Sequence, residues 1–384
     1  MTSESRHLVH VFSTFAPGGP QMRAVEVLGS LPSRFRHTVL ATNNVLTARE
    51  KLRPGLPVEF AEVPRPAGGG VRRGELGALL RKLSPDLLLT YNWGATDVLW
   101  LAAMGRRIAH IVHAEDGFGP DEIRGQLPRR VWTRRLLLRF AEVVVVPSRT
   151  LEEIAVKTWW MPRRRVLYVP NGIDLGRFTS GNGAAFREKF GIPDDAFVVG
   201  QVAHLRGEKR PSRLLEAFAH ASIPGAHLVF VGDGPERALL DEIIRQRSLD
   251  GRVHFAGFLQ NPVDAYRAFD VFALSSDTEQ MPISVLEAMG CGLPVVSTDV
   301  GDVKEMLAPA NAPFVTRLGD EAAYAQALVQ LFQSAEQRRR VGHANRARCA
   351  AHFSLEQQNN AYRDLYDRFA AGSKLAWRSE HFRS

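Results

Sequence analysis

Short apolar runs alternate with helix-length segments along most of the chain, and this alternation constrains the fold more than any other feature. The predicted strands are 8–12, 37–41, 58–63, 86–90, 108–112, 143–147 and 166–169 in the first half, and 197–203, 227–231, 252–256, 271–274 and 294–298 in the second. Parallel strands need a long crossover, usually a helix, whereas antiparallel strands can be joined by a short turn. The pattern therefore predicts an α/β protein in which βαβ units form parallel sheets.

The pattern restarts after an interruption near the middle of the chain. Residues 169–174, VPNGID, are the end of a strand followed by a turn, and residues 175–196 form a polar connection. A chain of 384 residues is usually divided into two domains. We therefore expect a domain boundary near residue 170.

Charge and cysteine content limit the environment of the protein. Of the net charge of +8, residues 1–170 carry +10 and the remainder −2, which favours an acidic partner for the first half. Two cysteines, Cys291 and Cys349, provide neither a disulfide framework nor metal-ligand spacing. No apolar run reaches the roughly 18 residues of a membrane span, and the N-terminal apolar stretch is too short for a signal peptide. A reducing cytoplasm is the expected compartment.

Residues 275–303 combine two carboxylates with a predicted helix start. Glu279 and Glu287 lie eight positions apart, and Pro282 between them suits the first turn of a helix over 282–290. The free N–H groups of that turn would suit a phosphate, while carboxylates accept hydrogen bonds from sugar hydroxyls. A nucleotide sugar carries both kinds of group. The alternative is a pair of glutamates on a solvated surface.

Two loops that follow predicted strands carry features suited to phosphate. Arg206 and Lys209 lie in a cationic loop, residues 204–210, where a diphosphate leaving group would be neutralised, although an ordinary basic loop remains the alternative. Gly18 and Gly19 would let backbone N–H groups approach a diphosphate closely. This turn lacks the full GxGxxG of dinucleotide-binding proteins, and a plain βα turn is its alternative.

His113 ends the fifth predicted strand, and Glu115 and Asp116 follow it. Ligands of open α/β sheets bind at the carboxyl ends of the strands, which makes His113 a site candidate. The alternative is a hydrogen-bonded structural histidine.

Residues 121–140 form a basic, amphipathic helical stretch. Its arginines are Arg124, Arg129, Arg130, Arg134, Arg135 and Arg139, and they alternate with apolar residues that include Trp132. One interpretation is contact with an anionic membrane surface, which residues 159–165, WWMPRRR, would extend. The alternative is a packed helix whose arginines face solvent.

The stretch from Glu279 to Val296, with its two glutamates, seven intervening residues and EAMGCGLPVV, resembles the donor-site motif of the retaining glycosyltransferases of family four. The resemblance implies the GT-B architecture, in which two Rossmann-like domains with parallel sheets face an interdomain cleft. It implies an acceptor-binding domain over 1–170 and a nucleotide-sugar-binding domain over 171–354. Residues 355–384 would then form a helix that crosses back to the first domain and a loose tail.

The resemblance also implies roles for the cationic loop. Similar enzymes have an Arg five residues before a Lys, with both side chains on the donor phosphates. Lys209 matches that Lys, but His204 stands at the Arg position, and Arg206 is a substitute two residues later.

Further donor contacts follow from the same resemblance. Glu279 would bind hydroxyls of the transferred sugar and Glu287 those of the ribose, while the helix start at Met281, Pro282 and Ile283 adds backbone donors.

The resemblance assigns the remaining contacts to glycine turns and a histidine. Gly232 and Phe258 follow strands that would line the nucleotide pocket, with the backbone near Phe258 on the base. Gly18 and Gly19 would face the phosphates across the cleft, and His113 would lie near the transferred sugar. Glu115 and Asp116 are candidates for contact with the acceptor.

The expected activity is metal-independent transfer of a hexose, with retention, from a UDP-sugar or GDP-mannose to a glycan or lipid-linked acceptor. No cofactor, metal ion or nucleic-acid partner is expected, and the enzyme would be cytoplasmic or peripheral on the inner face of the membrane. One alternative is a catalytically weakened homologue that serves as a scaffold, as His204 indicates. An NAD-dependent oxidoreductase lacks its glycine motif here, and a nucleic-acid-binding module lacks a binding motif.

Overall fold

The computed structural model describes residues 5–64, 72–106, 108–118, 120–122 and 125–370. The chain forms two compact units. The first consists of residues up to Asn171 together with those from Gln358 onward, and the second of Gly172–Gln357. The expected loose tail, and Arg124 of the basic stretch, lie outside the described residues.

Thirteen strands and fourteen α-helices are found in the described residues. The strands are β1 Arg6–Phe12, β2 Phe35–Ala41, β3 Val58–Glu62, β4 Leu87–Tyr91, β5 His110–Ala114, β6 Val143–Val146, β7 Val166–Tyr168, β8 Val198–Val202, β9 His227–Val231, β10 Val253–Gly257, β11 Val271–Leu274, β12 Val295–Thr298 and β13 Val315–Thr316. The helices are α1 Gly19–Ser30, α2 Arg73–Leu83, α3 Thr96–Ala103, α4 Pro128–Leu137, α5 Arg149–Lys157, α6 Ala184–Lys189, α7 Pro211–Ala221, α8 Arg237–Gln246, α9 Val263–Ala268, α10 Ile283–Gly290, α11 Val303–Met306, α12 Glu321–Gln333, α13 Ala335–His352 and α14 Leu355–Ala370.

Each unit contains one parallel sheet with helical crossovers. The first sheet has the strand order β3-β2-β1-β4-β5-β6-β7 and the second β10-β9-β8-β11-β12-β13. All observed strand pairs are parallel. This is the predicted α/β fold class. Each of the twelve predicted strands corresponds to an observed strand, within two residues at either end, and the two-residue β13 was not predicted.

Both faces of each sheet are buried, which explains why the strands are continuous apolar runs. In β1, Leu8 and Phe12 pack into one core of the first unit, while Val9 and Val11 pack into the other. In β11 of the second unit, Phe272 and Leu274 face one core and Val271 and Ala273 the other. Alternate side chains on each strand thus pack under different helix layers.

Helix α14 belongs to the first unit although it follows the second unit in sequence. Its residues Tyr362, Leu365 and Tyr366 are buried in the same core as Leu8 and Phe12 of β1. The chain therefore passes between the units twice, at Asn171 and Gly172 and again at Gln357 and Gln358.

Candidate functional site

The strand order of the second unit creates a switch point between β8 and β11. These strands are neighbours in the sheet, but the connections that follow them lead to opposite sides, to β9 and to β12. Ligands of open α/β sheets bind outside the carboxyl ends of the strands at such a point. The loops that begin there are residues 203–210 and 275–282.

Lys209 and Glu279 meet at this switch point, although they are 70 positions apart in sequence. Lys209 Nζ donates to Glu279 Oε1 at 2.6 Å, and Ser276 Oγ donates to the same oxygen at 2.7 Å. The side chains are 26% and 10% exposed, so the pair lies at the boundary with solvent. Among the described residues, the side chains that donate to Glu279 both contact Oε1, which leaves Oε2 for a ligand.

Backbone and side-chain hydrogen bonds join the two loops next to this ion pair. Asp277 N donates to the Glu208 carbonyl at 2.8 Å, and Ser275 Oγ donates to the Lys209 carbonyl at 2.9 Å. Gln201 on β8 donates in turn to Ser275 Oγ at 2.8 Å. The position of Lys209 is thus set by residues of both strands, and sequence reasoning did not identify these supports.

His204 and Arg206 occupy the start of the same cationic loop, and both are exposed. Leu205 between them is buried, and its N–H donates to the Asp233 carbonyl at 3.0 Å. Because the side chain of Leu205 is buried, the side chains of His204 and Arg206 on either side of it face solvent. Three residues of this loop are candidates for binding the diphosphate, namely His204, Arg206 and Lys209. The one that pairs with Glu279 in this structure is Lys209.

Two glycines in neighbouring loops allow close contact with residues 203–210 and 275–282. They are Gly232, which follows β9, and Gly301, which follows β12. Gly232 has φ +134°, and a Cβ there would lie 1.9 Å from the Ala203 carbonyl oxygen. Gly301 has φ +54°, and a Cβ there would lie 2.5 Å from the Glu279 carbonyl oxygen. Gly232 was a sequence candidate. Gly301, which lies against the backbone of Glu279, was not, although it occurs in the same stretch, residues 275–303.

The start of α10 lies next in the same loop. The helix begins at Ile283 with Pro282 as its N-cap, one residue later than predicted, and Met281 is buried. Glu287 lies on the second turn, where Tyr266 OH donates to its Oε2 at 2.6 Å. Burial raises the pKa of Glu287 to about 7, against the hydrogen bond from Tyr266 and the charge of Arg177, which both lower it.

Phe258 follows β10 and is 68% exposed, an unusual environment for a phenylalanine. The preceding residue, Gly257, has φ +65°, and its carbonyl accepts the N–H of Gly232 at 2.8 Å. Gly232 and Phe258 therefore belong to adjacent loops at the carboxyl edge of the sheet.

Three sequence candidates belong to the first unit instead. Gly18 is the N-cap of α1 and Gly19 its first residue. His113 on β5 has 0% exposure, and its ring nitrogens contact Thr90 Oγ1 at 2.8 Å and Glu115 Oε2 at 3.3 Å. These contacts make His113 part of a buried polar network.

Arg134 completes that network from α4. Its guanidinium pairs with Glu115 at 3.3 Å and Glu122 at 3.2 Å, and it lies over the rings of Trp93 and Trp159. Arg134 is 1% exposed, so the expectation that it faces solvent or a membrane was wrong. The buried carboxylates keep it inside, because an unpaired buried charge would be costly.

The other candidate for acceptor contact, Asp116, is also engaged. It forms an ion pair with the buried Arg23, and its backbone N–H donates to Asn92 Oδ1 at 2.7 Å. Glu115 is 1% exposed. In this structure, both carboxylates therefore form ion pairs with buried arginines of the first unit.

The outer side of α4 nevertheless carries an exposed aromatic surface. Trp132 and Trp160 are 60% and 51% exposed, with Leu136 and Phe140 also exposed, and we call these four residues the Trp132 surface. Arg135 lies 4.6 Å from the ring centroid of Trp132 and 3.7 Å from that of Trp160. Trp159, which was expected on this surface, is buried instead.

Within the part of the chain that the structure describes, there is no cluster of three or more His, Cys, Asp or Glu side chains that could hold a metal ion.

No helix of the described ranges combines the length and apolar character required to cross a membrane.

Family comparisons match both halves of the chain. The model described as Glycosyltransferase Family 4 matches residues 5–177, and that described as Glycosyl transferases group 1 matches residues 183–348.

Among curated proteins, N-acetyl-alpha-D-glucosaminyl L-malate synthase of Bacillus anthracis is 26% identical over 206 residues. The match covers 53% of this chain and about half of that protein, 54%. The 2-deoxystreptamine N-acetyl-D-glucosaminyltransferase of Streptomyces fradiae is 27% identical, and the match covers 85% of each chain.

Solved structures of the same fold include Anabaena HepE in complex with UDP, with a TM-score of 0.79 and 19% identity, covering 94% of this chain and 99% of that one. Sucrose-phosphate synthase from Thermosynechococcus elongatus has a TM-score of 0.79 and 20% identity, covering 96% and 100%.

Proposed function

We propose, from the premise that the chain belongs to the family-four-like glycosyltransferases with the GT-B fold, that this protein transfers a sugar from a nucleotide-diphosphate sugar to an acceptor hydroxyl with retention of configuration. The observation that carries the proposal is the contact of Lys209 with Glu279 at the switch point between β8 and β11. A cation for the diphosphate and a carboxylate for sugar hydroxyls are thereby adjacent.

The proposed reaction breaks the bond between the anomeric carbon and the diphosphate oxygen, which keeps the electron pair. Lys209 stabilises the negative charge that develops on this oxygen. Arg206 or His204 supplies a second donor, and the backbone N–H groups of the first turn of α10, from Ile283 onward, supply further ones. The acceptor oxygen then bonds to the same face of the anomeric carbon. Its proton passes to the departing phosphate.

The two glutamates have separate roles in this proposal. Glu279 binds hydroxyls of the transferred sugar through the oxygen that Lys209 and Ser276 leave available. Glu287 binds the ribose hydroxyls, and Gly232 and Phe258 line the nucleotide. Neither glutamate acts as a glycosidase-type nucleophile.

We assign acceptor binding to the first unit, with Gly18 and Gly19 as backbone donors to the donor phosphates. The burial of His113 and its contacts with Thr90 and Glu115 favour a structural contribution of this histidine to the acceptor-binding unit.

The experiment that tests the donor is a thermal-shift and transfer panel of UDP, GDP, UDP-glucose, UDP-galactose, UDP-N-acetylglucosamine, GDP-mannose and NAD. A ligand of the native state raises apparent stability by mass action. We expect one nucleotide-sugar set to raise the Tm and Glu287→Ala to abolish the shift. A shift with NAD alone would overturn the proposal.

Turnover is then measured in excess chelator, because the proposal requires no metal ion. Activity lost in chelator and restored by a divalent cation would contradict metal independence. Full donor binding without turnover on any glycan or lipid-linked acceptor would instead favour the alternative of a catalytically weakened scaffold, for which the exposed His204 at the usual Arg position is the supporting feature.

We further propose that the Trp132 surface binds the inner face of an anionic membrane, where a lipid-linked acceptor would be presented to a cytoplasmic enzyme. Exposed tryptophans suit the membrane interface, and arginines suit lipid phosphates.

Vesicle sedimentation tests this membrane proposal. We expect Trp132→Ala with Trp160→Ala to weaken binding to phosphatidylglycerol-containing vesicles at least about tenfold, because two interfacial anchors are lost. Leu239→Ala is the matched control, since Leu239 is an exposed apolar residue of the second unit, 48% exposed. Equal sedimentation of the double variant and the wild type would remove this surface from the proposal.

A further inference from the structure

The phenol of Tyr266 is buried directly beside Glu287. Tyr266 lies on α9 with 0% exposure, and its ring contacts Phe178, Phe269 and Phe272 at centroid distances of 6.0, 5.9 and 5.7 Å. These aromatic contacts fix the ring, so that its hydroxyl has a defined position.

That hydroxyl holds one oxygen of the carboxylate. Tyr266 OH lies 2.6 Å from Glu287 Oε2 and 3.2 Å from the Ser284 carbonyl, so the carboxylate is the nearer acceptor. Burial raises the pKa of Tyr266 well above its usual value, which keeps the proton available for donation. Among the described residues, Tyr266 is the side chain that donates a hydrogen bond to Glu287, and Oε1 is left for a ligand.

Opposing effects act on the pKa of Glu287. Burial raises its pKa to about 7, whereas the Tyr266 hydrogen bond and the charge of Arg177, from the segment before α6, lower it. In the described part of the chain, the other titratable groups around α10 are Cys291 at its end, Arg267 from α9 and, from α13, Arg346 and Cys349. Cys349 and Cys291 remain thiols at neutral pH, because burial raises the pKa of both to about 12.

We propose that Tyr266 is a positioning residue for the donor nucleotide, whose phenol holds Glu287 in the orientation that accepts the ribose hydroxyls. This inference rests on the proposed role of Glu287 in binding ribose. An ionised carboxylate accepts hydrogen bonds roughly twice as strong as those of a neutral group. A protonated Glu287 would be a poorer acceptor, so donor affinity should depend on the Tyr266 hydrogen bond.

The test is UDP binding by calorimetry to the whole 384-residue chain, from about pH 6 to about pH 9. Tyr266→Phe keeps the ring and removes the hydroxyl that stabilises the carboxylate. The pKa of Glu287 then rises, and its ionisation moves to higher pH. We expect UDP to bind about tenfold more weakly at neutral pH, with the difference narrowing at alkaline pH. With donor and acceptor saturating, kcat should stay near the wild-type value.

Tyr324→Phe is the matched control. Tyr324 is another fully buried tyrosine of the second unit, and its hydroxyl has no hydrogen-bond partner among the described residues. Removal of its hydroxyl should leave UDP affinity unchanged at every pH.

The outcomes separate this inference from the proposed function. If the wild type binds UDP and Glu287→Gln weakens it, but Tyr266→Phe does not, the role of Tyr266 is refuted while the donor site stands. A loss of affinity that is equal at all pH values, with a lower Tm, would make Tyr266 merely structural. If the wild type binds neither UDP nor GDP, the proposed function itself fails.

Discussion

Replacement of Lys209 by alanine is expected to lower kcat at least about a hundredfold, with a smaller effect on donor affinity. The ammonium would stabilise charge that grows on the diphosphate as the bond to the sugar breaks, so its contribution is larger in the transition state than in the ground state. Its position between the β8 and β11 loops, 26% exposed, reduces competition from water.

The measurement is the separate determination of kcat and of the donor KM for Lys209→Ala. Lys189→Ala is the matched control, since Lys189 is an exposed lysine of α6 in the same unit. A folded Lys209→Ala variant with a near-normal kcat would remove Lys209 from the reaction. Lys209→Arg should restore part of the rate, because it retains the charge but not the compact geometry.

Replacement of Glu279 by alanine is the second change with a large expected effect, again at least about a hundredfold in transfer. The variant loses the hydroxyl acceptor and also the partner that holds Lys209 at 2.6 Å. Glu279→Gln, which keeps the shape and one acceptor oxygen, should lose less. The measurement is initial transfer rate at saturating donor, with hydrolysis of the donor followed in parallel.

Glu188→Gln, on the exposed side of α6, is the control for loss of a carboxylate. Because Lys209 and Glu279 are in direct contact, the double variant Lys209→Ala with Glu279→Ala should be far from additive. Additive losses would contradict the ion pair as a functional unit. Wild-type transfer rates in a folded Glu279→Ala variant would exclude this carboxylate from sugar binding.

The sequence contained most of the information about secondary structure, because that information is local. Apolar periodicity and glycine turns depend on neighbours along the chain, and they located twelve of the thirteen strands that the described residues form. The helix predicted over 282–290 is observed as Ile283–Gly290. The strand β13 was not predicted because two residues are too few to show a period.

The sequence predicted only some of the residues of the candidate site. The spacing of Glu279 and Glu287 and the motif around them led to the family, and Lys209 was identified with it. The supports of these residues were not, because Gln201, Ser275 and Gly301 are ordinary residues in separate segments, and only the folded sheet brings them together.

The sequence by itself determined the fold class, the family and the motif that carries Glu279 and Glu287. Tertiary structure alone decided which cation meets Glu279, that Arg134 and Trp159 are buried, and that Tyr266 reaches Glu287. The physical reason is that strand and helix preferences arise from contacts close in sequence, whereas burial and ion pairing depend on strand order. Strand order in the sheet brings Lys209 and Glu279 into contact, although they are far apart in sequence. No local sequence pattern predicts such a contact.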